Sequence, residues 1–448
     1  MTASHALSEM SSRSLGDGLV LRYASQDDVD RLAEFFARVL TEDETGKPDA
    51  RIGFWTRDML TLNENDPSRP FAILVEDETT RRVASALISI PQVWAYAGIP
   101  LLVGRPEPVG TDENFRNRGL VRALFEEFHR SSQAHGDLLQ GITGIPFFYR
   151  QFGYEMAVEL GGSRSAYEAH IKTAAKVDNE GCSVRPAGRD DIPFLNECYQ
   201  ASASRYLLHG SLSPDWWETQ LFKKHPDNLE KPGIFVLESS EKQPAGFFIV
   251  SSEMDGQAVV VRYIEIRAGS NWRSYMPLML ERSWSFGQAL AEKYGTPCTR
   301  LCLGLGSQHP AYLASAEYLP EYRRPYNWYL RVPDLPLLVR RITPEIEKRL
   351  SQSPFCSYSG KLKISFYKSD IHLEFQSGSL IKVDKAPPSV WHAADVCFPD
   401  LTFLQLLFGY RSSRELSDMF ADCRISEKYI PLLDAIFPKQ TSLILPIE

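Results

Sequence analysis

Three arginines around one glycine, and one tyrosine beyond them, are the residues of this chain best placed to do chemistry together. From Val109 to Leu124 the sequence reads VGTDENFRNRGLVRAL. Arg116, Arg118 and Arg122 offer charge-assisted donors of the kind a pyrophosphate takes. Asn117, Gly119, Leu120 and Val121 lie among them, where the pattern predicts a helix start. There the first N–H groups lack intrahelical acceptors and the macrodipole is positive. Gly119 lets backbone and ligand approach closely, since a side chain would block the contact. Further on, GIPFFYRQFGYEM (Gly144 to Met156) places Tyr149 in a second loop. A phenol with an ordinary pKa near ~10 can donate a proton to a leaving group of similar basicity without strong perturbation.

These residues have to be positioned by an apolar strand ending at Val109, a helix from the glycine to about His135, and a strand over Leu138–Thr143. At 448 residues the chain favours about three domains. Its 49 basic against 57 acidic residues give a net charge of −8, which argues against a nucleic-acid coat and permits cationic ligands. Seven scattered cysteines without a CxxC read as reduced thiols of a cytoplasmic protein. The histidines show no zinc-site spacing. The Ser-rich start has no apolar segment of a signal peptide, and no run is long enough to span a membrane.

The chain also repeats itself. LRYASQDDVDRL (Leu21–Leu32) and VRPAGRDDIPFL (Val184–Leu195) share five of twelve residues at an offset of 163, including Arg22 with Arg185 and Asp28 with Asp191. The same offset carries Tyr149 onto Tyr312. A duplicated α/β domain is expected, with residues 1–19 a disordered tail, 20–160 the first copy and 182–332 the second. Residues 161–181 and 332–336 are expected as linkers. From 337 to 448 the pattern changes to alternating strands followed by helices, a smaller α+β domain.

In these motifs the chain resembles the GNAT acetyltransferase superfamily, whose central motif is Arg/Gln-x-x-Gly-x-Gly/Ala. Val121 departs from its last position. More closely, residues 20–448 resemble the Eis (enhanced intracellular survival) family, in the phosphate loop, FYRQFGY, the tandem arrangement and FLQLLFGYRSSREL (403–416). The resemblance implies tandem GNAT domains, each a mixed sheet flanked by helices, and then a sterol-carrier-protein-like domain. It implies acetyl-coenzyme A held along Val109, Gly110 and Thr111, its pyrophosphate on the N–H groups from Arg116 to Arg122, and Gly144 and Ile145 flanking it. Tyr149 would be the general acid, and the terminal carboxylate of Glu448 the base. It further implies a primary-amine acceptor on a cationic small molecule, aminoglycosides among them, and a hexamer.

Glu107 is either a fallback base, of the kind the resemblance to GNAT enzymes implies, or an exposed loop carboxylate. Trp216 and Trp217 are pocket walls or packing. The second copy reads AGSNWRSYMPLML where a phosphate loop should stand, with Met276 three residues after Arg273, and is expected not to bind coenzyme A. Two rival readings remain at this level. One is a non-catalytic carrier holding an apolar ligand in the third domain, and the other is a protein-lysine acetyltransferase.

Overall fold

The computed structural model describes residues 12–41, 46–62 and 69–445. The first part of the chain forms β1 (Arg13–Gly16), β2 (Leu19–Tyr23), α1 (Val29–Val39), α2 (Ala50–Thr61), β3 (Phe71–Asp77), β4 (Val83–Tyr96), β5 (Ile99–Thr111), α3 (Leu120–His135), β6 (Leu139–Ile142) and β7 (Glu155–Leu160). Next come β8 (Ser163–Tyr167), α4 (Glu168–Ala174), β9 (Ser183–Pro186), α5 (Ile192–Ser202), β10 (Leu208–Gly210), α6 (Pro214–Glu218), β11 (Gly233–Glu238), β12 (Pro244–Val250), β13 (Ala258–Ile266), α7 (Trp272–Tyr294), β14 (Arg300–Leu303), α8 (Pro310–Ala314), β15 (Glu321–Arg323) and β16 (Tyr326–Arg331). The last part adds α9 (Leu335–Arg341), α10 (Thr343–Ser351), β17 (Gly360–Ser365), β18 (Asp370–Gln376), β19 (Ser379–Ala386), β20 (Val396–Cys397), α11 (Phe403–Leu407), α12 (Ser413–Met419), β21 (Arg424–Ile425) and α13 (Ile430–Ile436).

Three sheets organise these elements, and two of them repeat one plan. The first runs β1-β2-β3-β4-β5-β6-β16-β7, with β10 added on β4, and the second runs β15-β8-β14-β13-β12-β11-β9. In each, one parallel pair, β5 with β6 or β13 with β14, interrupts an otherwise antiparallel sheet. The strand beside that pair has been exchanged between the copies. Tyr326 lies 163 residues after Ser163 (326 − 163 = 163), so β16 and β8 are repeat equivalents, yet β16 completes the first sheet and β8 the second.

The exchange corrects the expected boundaries. Residues 161–181 are no plain linker, because they hold β8 and α4, and 326–331 belong to the first sheet. Residues 332–336 begin a helix, where the Asp334 side chain accepts the Leu337 N–H at 2.8 Å. The tail expected over residues 1–19 is in the sheet from Arg13, since β1 pairs with β2.

The shared RxAxxDD motif has a physical account. The Asp28 side chain accepts the Ser25 N–H (2.8 Å) at the helix entry and pairs with Arg22, which also binds Glu76 of β3 (2.6 Å). In the second copy Asp191 accepts the Gly188 N–H (2.7 Å), and Arg185 joins Asp191 to Glu238 of β11. One arginine thus ties a helix start to a strand in both domains. Burial would raise the Asp28 carboxyl, but its bonds from Arg22 and Ser25 outweigh that and hold it well below the usual carboxylate range. Its stabilising contribution is therefore full above pH ~4 and is lost as the pH falls further. Arg22→Ala leaves Asp28 and Glu76 buried with Arg31, and at Glu76 also Arg81, as remaining partners. A loss of about 3 kcal/mol in unfolding free energy, measured by urea denaturation at pH 7, is expected.

The five-stranded sheet, β19-β18-β17-β20-β21, packs with its helices onto the far end of the β4–β5 hairpin. Trp94, Tyr96, Leu101 and Val103 belong to the same apolar cluster as Leu362, Ile364, Leu373 and Phe403. The Tyr96 hydroxyl donates to the Leu407 carbonyl at 2.9 Å. Much of the apolar face of the third domain is thus buried in its junction with the first. Among the described residues no helix is long and apolar enough to cross a membrane.

Candidate active site

The site begins where two parallel strands part. β5 and β6 pair only at Val103 with Leu139 and Gly104 with Gln140. Beyond Gly104, β5 stays bonded to β4 as far as Thr111, while β6 ends at Ile142 on its pairing with Tyr329 of β16. The edge of β5 facing this gap, which includes Val109, Gly110 and Thr111, therefore has no strand on it. The Ser85 hydroxyl donates to the Gly110 carbonyl at 2.8 Å, which braces the strand end from the β4 side.

Past Thr111 the buried Asp112 sets the loop. Its carboxylate accepts the Asn114 N–H (3.0 Å) and pairs with Arg38 (2.8 Å) and Arg82 (3.1 Å). Asn117 and Gly119 then take left-handed conformations, φ +63° and +73°. The chain so turned brings successive N–H groups toward one point, a concavity suited to anions. Gly119 is the cap residue of α3 and has no side chain to satisfy the helix start. The Ala123 N–H makes the first turn's bond, to Gly119 at 3.1 Å. Arg116 and Arg118 are exposed beside this turn, and Arg118 lies over the Phe115 ring at 5.3 Å. Arg122 lies over the Phe152 ring (5.4 Å) and donates to the Gln151 side chain (3.1 Å), which links the loop to the turn that carries Tyr149.

Tyr149 sits in a short 3₁₀ turn, Phe148–Phe152, and is 6% exposed. Phe125 and Tyr329 pack on its ring at 5.9 and 5.5 Å. Its hydroxyl takes no hydrogen bond among the described residues. It lies close to Gly144, where an added Cβ would stand 3.6 Å from it, and the φ of Gly144 is +109°. Ile145 and Phe147 of the same turn are exposed. The unperturbed phenol expected above is corrected. Burial, then the charge of Glu107, then Tyr329 and Tyr326, push the hydroxyl well above the usual tyrosine range, so it stays protonated.

Glu107 is not the exposed loop carboxylate that was one of its two readings. It is half-buried within β5, accepts from the buried Arg105 (2.6 Å), and takes the Thr143 hydroxyl across the gap (3.4 Å). Two further residues near Tyr149 escaped sequence reading. Tyr326 and Tyr329 come from β16, which had been assigned to the second copy, and only the strand exchange brings them here. Glu448 lies outside the described residues. The chain leading to it pairs beside β10, where Leu443 N–H donates to the Leu208 carbonyl (3.0 Å).

Across the β4–β5 hairpin from this gap lies a cavity of about 900 Å³, at the open edge of β4 near Ile90–Val93. Trp216, Lys223, Ile444 and Leu445 help to line it. Of the tryptophan pair, Trp216 is thus a pocket wall, while Trp217 is fully buried against Phe247.

The second copy differs at both key points. The cap of α7 is Asn271, whose side chain accepts the Arg273 N–H at 3.1 Å. The Tyr312 hydroxyl accepts the Leu305 N–H (3.0 Å) and donates to the Leu303 carbonyl (2.8 Å).

With this geometry in place, the class follows. Residues 20–157 match the family model described as an acetyltransferase (GNAT) domain, so the domain built on the first sheet is an acyltransferase domain of GNAT type. Solved structures share the fold of nearly the whole chain. A probable N-acyltransferase from Enterococcus faecalis, itself described as of unknown function, is 12% identical with a TM-score of 0.66, covering 98% of this chain and 100% of its own. A GCN5-related N-acetyltransferase from Anabaena variabilis is 13% identical with a TM-score of 0.62, covering 96% and 100%. Eis1 from Mycobacterium abscessus is 12% identical with a TM-score of 0.58, again covering 96% and 100%. A search of curated proteins with this sequence finds no match.

Proposed function

We propose that the protein is an N-acetyltransferase that moves acetyl from acetyl-coenzyme A directly to a primary amine, with the reaction in the gap between β5 and β6. The observation that carries this reading is the sequence of three features along one groove: an uncapped, doubly left-handed helix start, an unpaired strand edge, and a buried tyrosine whose hydroxyl has no partner among the described residues. A bound acetyl-coenzyme A would supply the acetyl thioester. The N–H groups from Arg116 to Arg122 and the three arginines would hold its pyrophosphate, and the backbone of Val109, Gly110 and Thr111 its pantetheine. Gly144 and Ile145 would flank it. Tyr149, kept protonated, donates its hydrogen to the departing sulfur. Glu107 is the described carboxylate that faces Tyr149 across the gap and is the base available there. The terminal carboxylate of Glu448 is the other proposed base.

The second copy is proposed not to bind coenzyme A. Its helix start is already capped by Asn271, and its tyrosine is held by backbone groups. The cavity beyond β4 is proposed to receive the body of the acceptor, whose amine has to reach the gap. The cavity brings Arg69, Lys223 and Lys224 together with Asp58 and Asp215. The Asp58 carboxylate already accepts the His225 N–H (2.7 Å) and the Asn228 amide (2.6 Å). Such a lining suits one primary amine on a neutral or acidic scaffold better than a polycation.

Thiol release from acetyl-coenzyme A tests this with a panel of monoamines, amino acids, aminoglycosides and lysine peptides. Turnover with at least one primary amine is expected, fastest with a singly cationic one. A folded protein that binds coenzyme A but acetylates none of them speaks against the enzyme reading. Removal of residues 446–448 is expected to depress kcat at least ten-fold if the terminal carboxylate is the base. Full turnover in that truncation leaves Glu107 in the role.

A further inference from the structure

The turn that carries the proposed acid is held at both ends by a strand from the other half of the duplication. The Tyr326 hydroxyl donates to the Gly144 carbonyl at 3.0 Å, and the Phe147 N–H donates to the Tyr329 hydroxyl at 2.6 Å. Gly144 and Phe147 are the first and last residues of the bend that leads into the Tyr149 turn. Phe147 is held at φ +66°, a costly conformation for a bulky side chain, and its ring is 73% exposed. Burial of the ring therefore does little to keep it there; the bond to Tyr329 does, together with the Arg150 guanidinium that lies over the ring at 5.4 Å. Tyr329 itself is fully buried and packs edge-on against the Tyr149 ring.

We propose that Tyr326 and Tyr329 are positioning residues of the acyl-transfer site, which fix the Gly144–Phe147 bend and through it the place of the Tyr149 hydroxyl. The proposal rests on the reading of Tyr149 as the proton donor. It gives the strand exchange a consequence: the site in the first domain is complete only when the chain has reached β16. The second copy lacks the device, because the residues of β8 equivalent to Tyr326 and Tyr329 (326 − 163 = 163, 329 − 163 = 166) are Ser163 and Ala166. The exchanged strands are therefore not interchangeable in function.

Tyr329→Phe keeps the buried ring and removes the hydroxyl that accepts from Phe147, and Tyr326→Phe, at a half-buried position, removes the hydroxyl that donates to Gly144. Each is measured by thiol release with the fastest amine of the panel above, by calorimetric binding of coenzyme A, and by thermal melting. The expected result is a fall in kcat of about 10- to 100-fold in Tyr329→Phe and a smaller fall in Tyr326→Phe, since misplacement of a reacting group by about 1 Å can cost about 100-fold in rate. The Kd for coenzyme A should stay within about two-fold, because neither residue lies in the pyrophosphate loop. The decisive measurement is the double variant. In a Tyr149→Phe background, Tyr329→Phe should cause no further loss, because a positioning residue acts through the group it positions. Losses that multiply, or wild-type kcat in both single variants, overturn the clamp while leaving the acyltransferase reading intact. Wild-type turnover in Tyr149→Phe alone overturns the assignment of the acid and the clamp together. Should Tyr329→Phe melt early, Tyr326→Phe carries the same cycle.

Discussion

Reversal of charge at Arg116 and Arg118 is expected to abolish coenzyme A binding, with a Kd raised at least 100-fold in calorimetry at moderate salt. Each arginine can make charge-assisted bonds to a pyrophosphate, worth about 1.5–3 kcal/mol when desolvated, and two such contacts correspond to 10²- to 10⁴-fold in affinity. Both side chains are exposed, so the lower end of that range applies to simple removal. Reversal to glutamate adds repulsion of the ligand's own charge. The loss should shrink as salt is raised, because exposed charges are screened within about 10 Å at 0.1 M. The protein's melting temperature should hardly change, since neither arginine makes a described ion pair. Unchanged affinity in the double variant would remove the phosphate loop from the site and take the proposed function with it.

Tyr149→Phe is the second change with a large expected effect: a fall in kcat of about 10²- to 10³-fold, with the Kd for coenzyme A within about two-fold. The hydroxyl has no other bond to lose in the described structure, so the variant should fold and melt like the parent. The pH dependence separates roles further. Burial and the Glu107 charge raise the Tyr149 pKa, so the hydroxyl remains protonated through the alkaline range in which a free tyrosine ionises. The turnover rate should therefore climb with pH as the acceptor amine loses its proton, and show no fall between pH 8 and 10 from ionisation of Tyr149. A basic limb in that range that vanishes in Tyr149→Phe would contradict the raised pKa. If kcat is lost in proportion to cofactor affinity instead, Tyr149 is a binding residue.

The raised pKa also limits what Tyr149 does. A phenol held above its ordinary range is a poorer acid, and full proton transfer to a thiolate is then less favourable than it would be for a free tyrosine. The hydroxyl still serves as a hydrogen-bond donor to the charge that develops on sulfur. Sequence reading took the ordinary value because burial is a tertiary property, and no spacing of residues reports it.

Local sequence determined what depends on neighbours along the chain. The helix start at Gly119 was legible because a glycine, free first-turn N–H groups and clustered arginines are written within seven residues; its left-handed turns were not. The duplication was legible from one short motif because the same arginine has to reach both a helix-start aspartate and a strand glutamate in each copy. Tertiary structure alone decided where those local pieces were joined. The two copies offer equivalent strands, Ser163–Tyr167 and Tyr326–Arg331, and either could have completed either sheet by pattern. Strand pairing depends on backbone hydrogen bonds that any such segment can make, so the exchange leaves no mark in residue periodicity. Yet that exchange delivers Tyr326 and Tyr329 to the turn of Tyr149, and it is the partings of β5 from β6, not the residues of either strand, that open the groove between them.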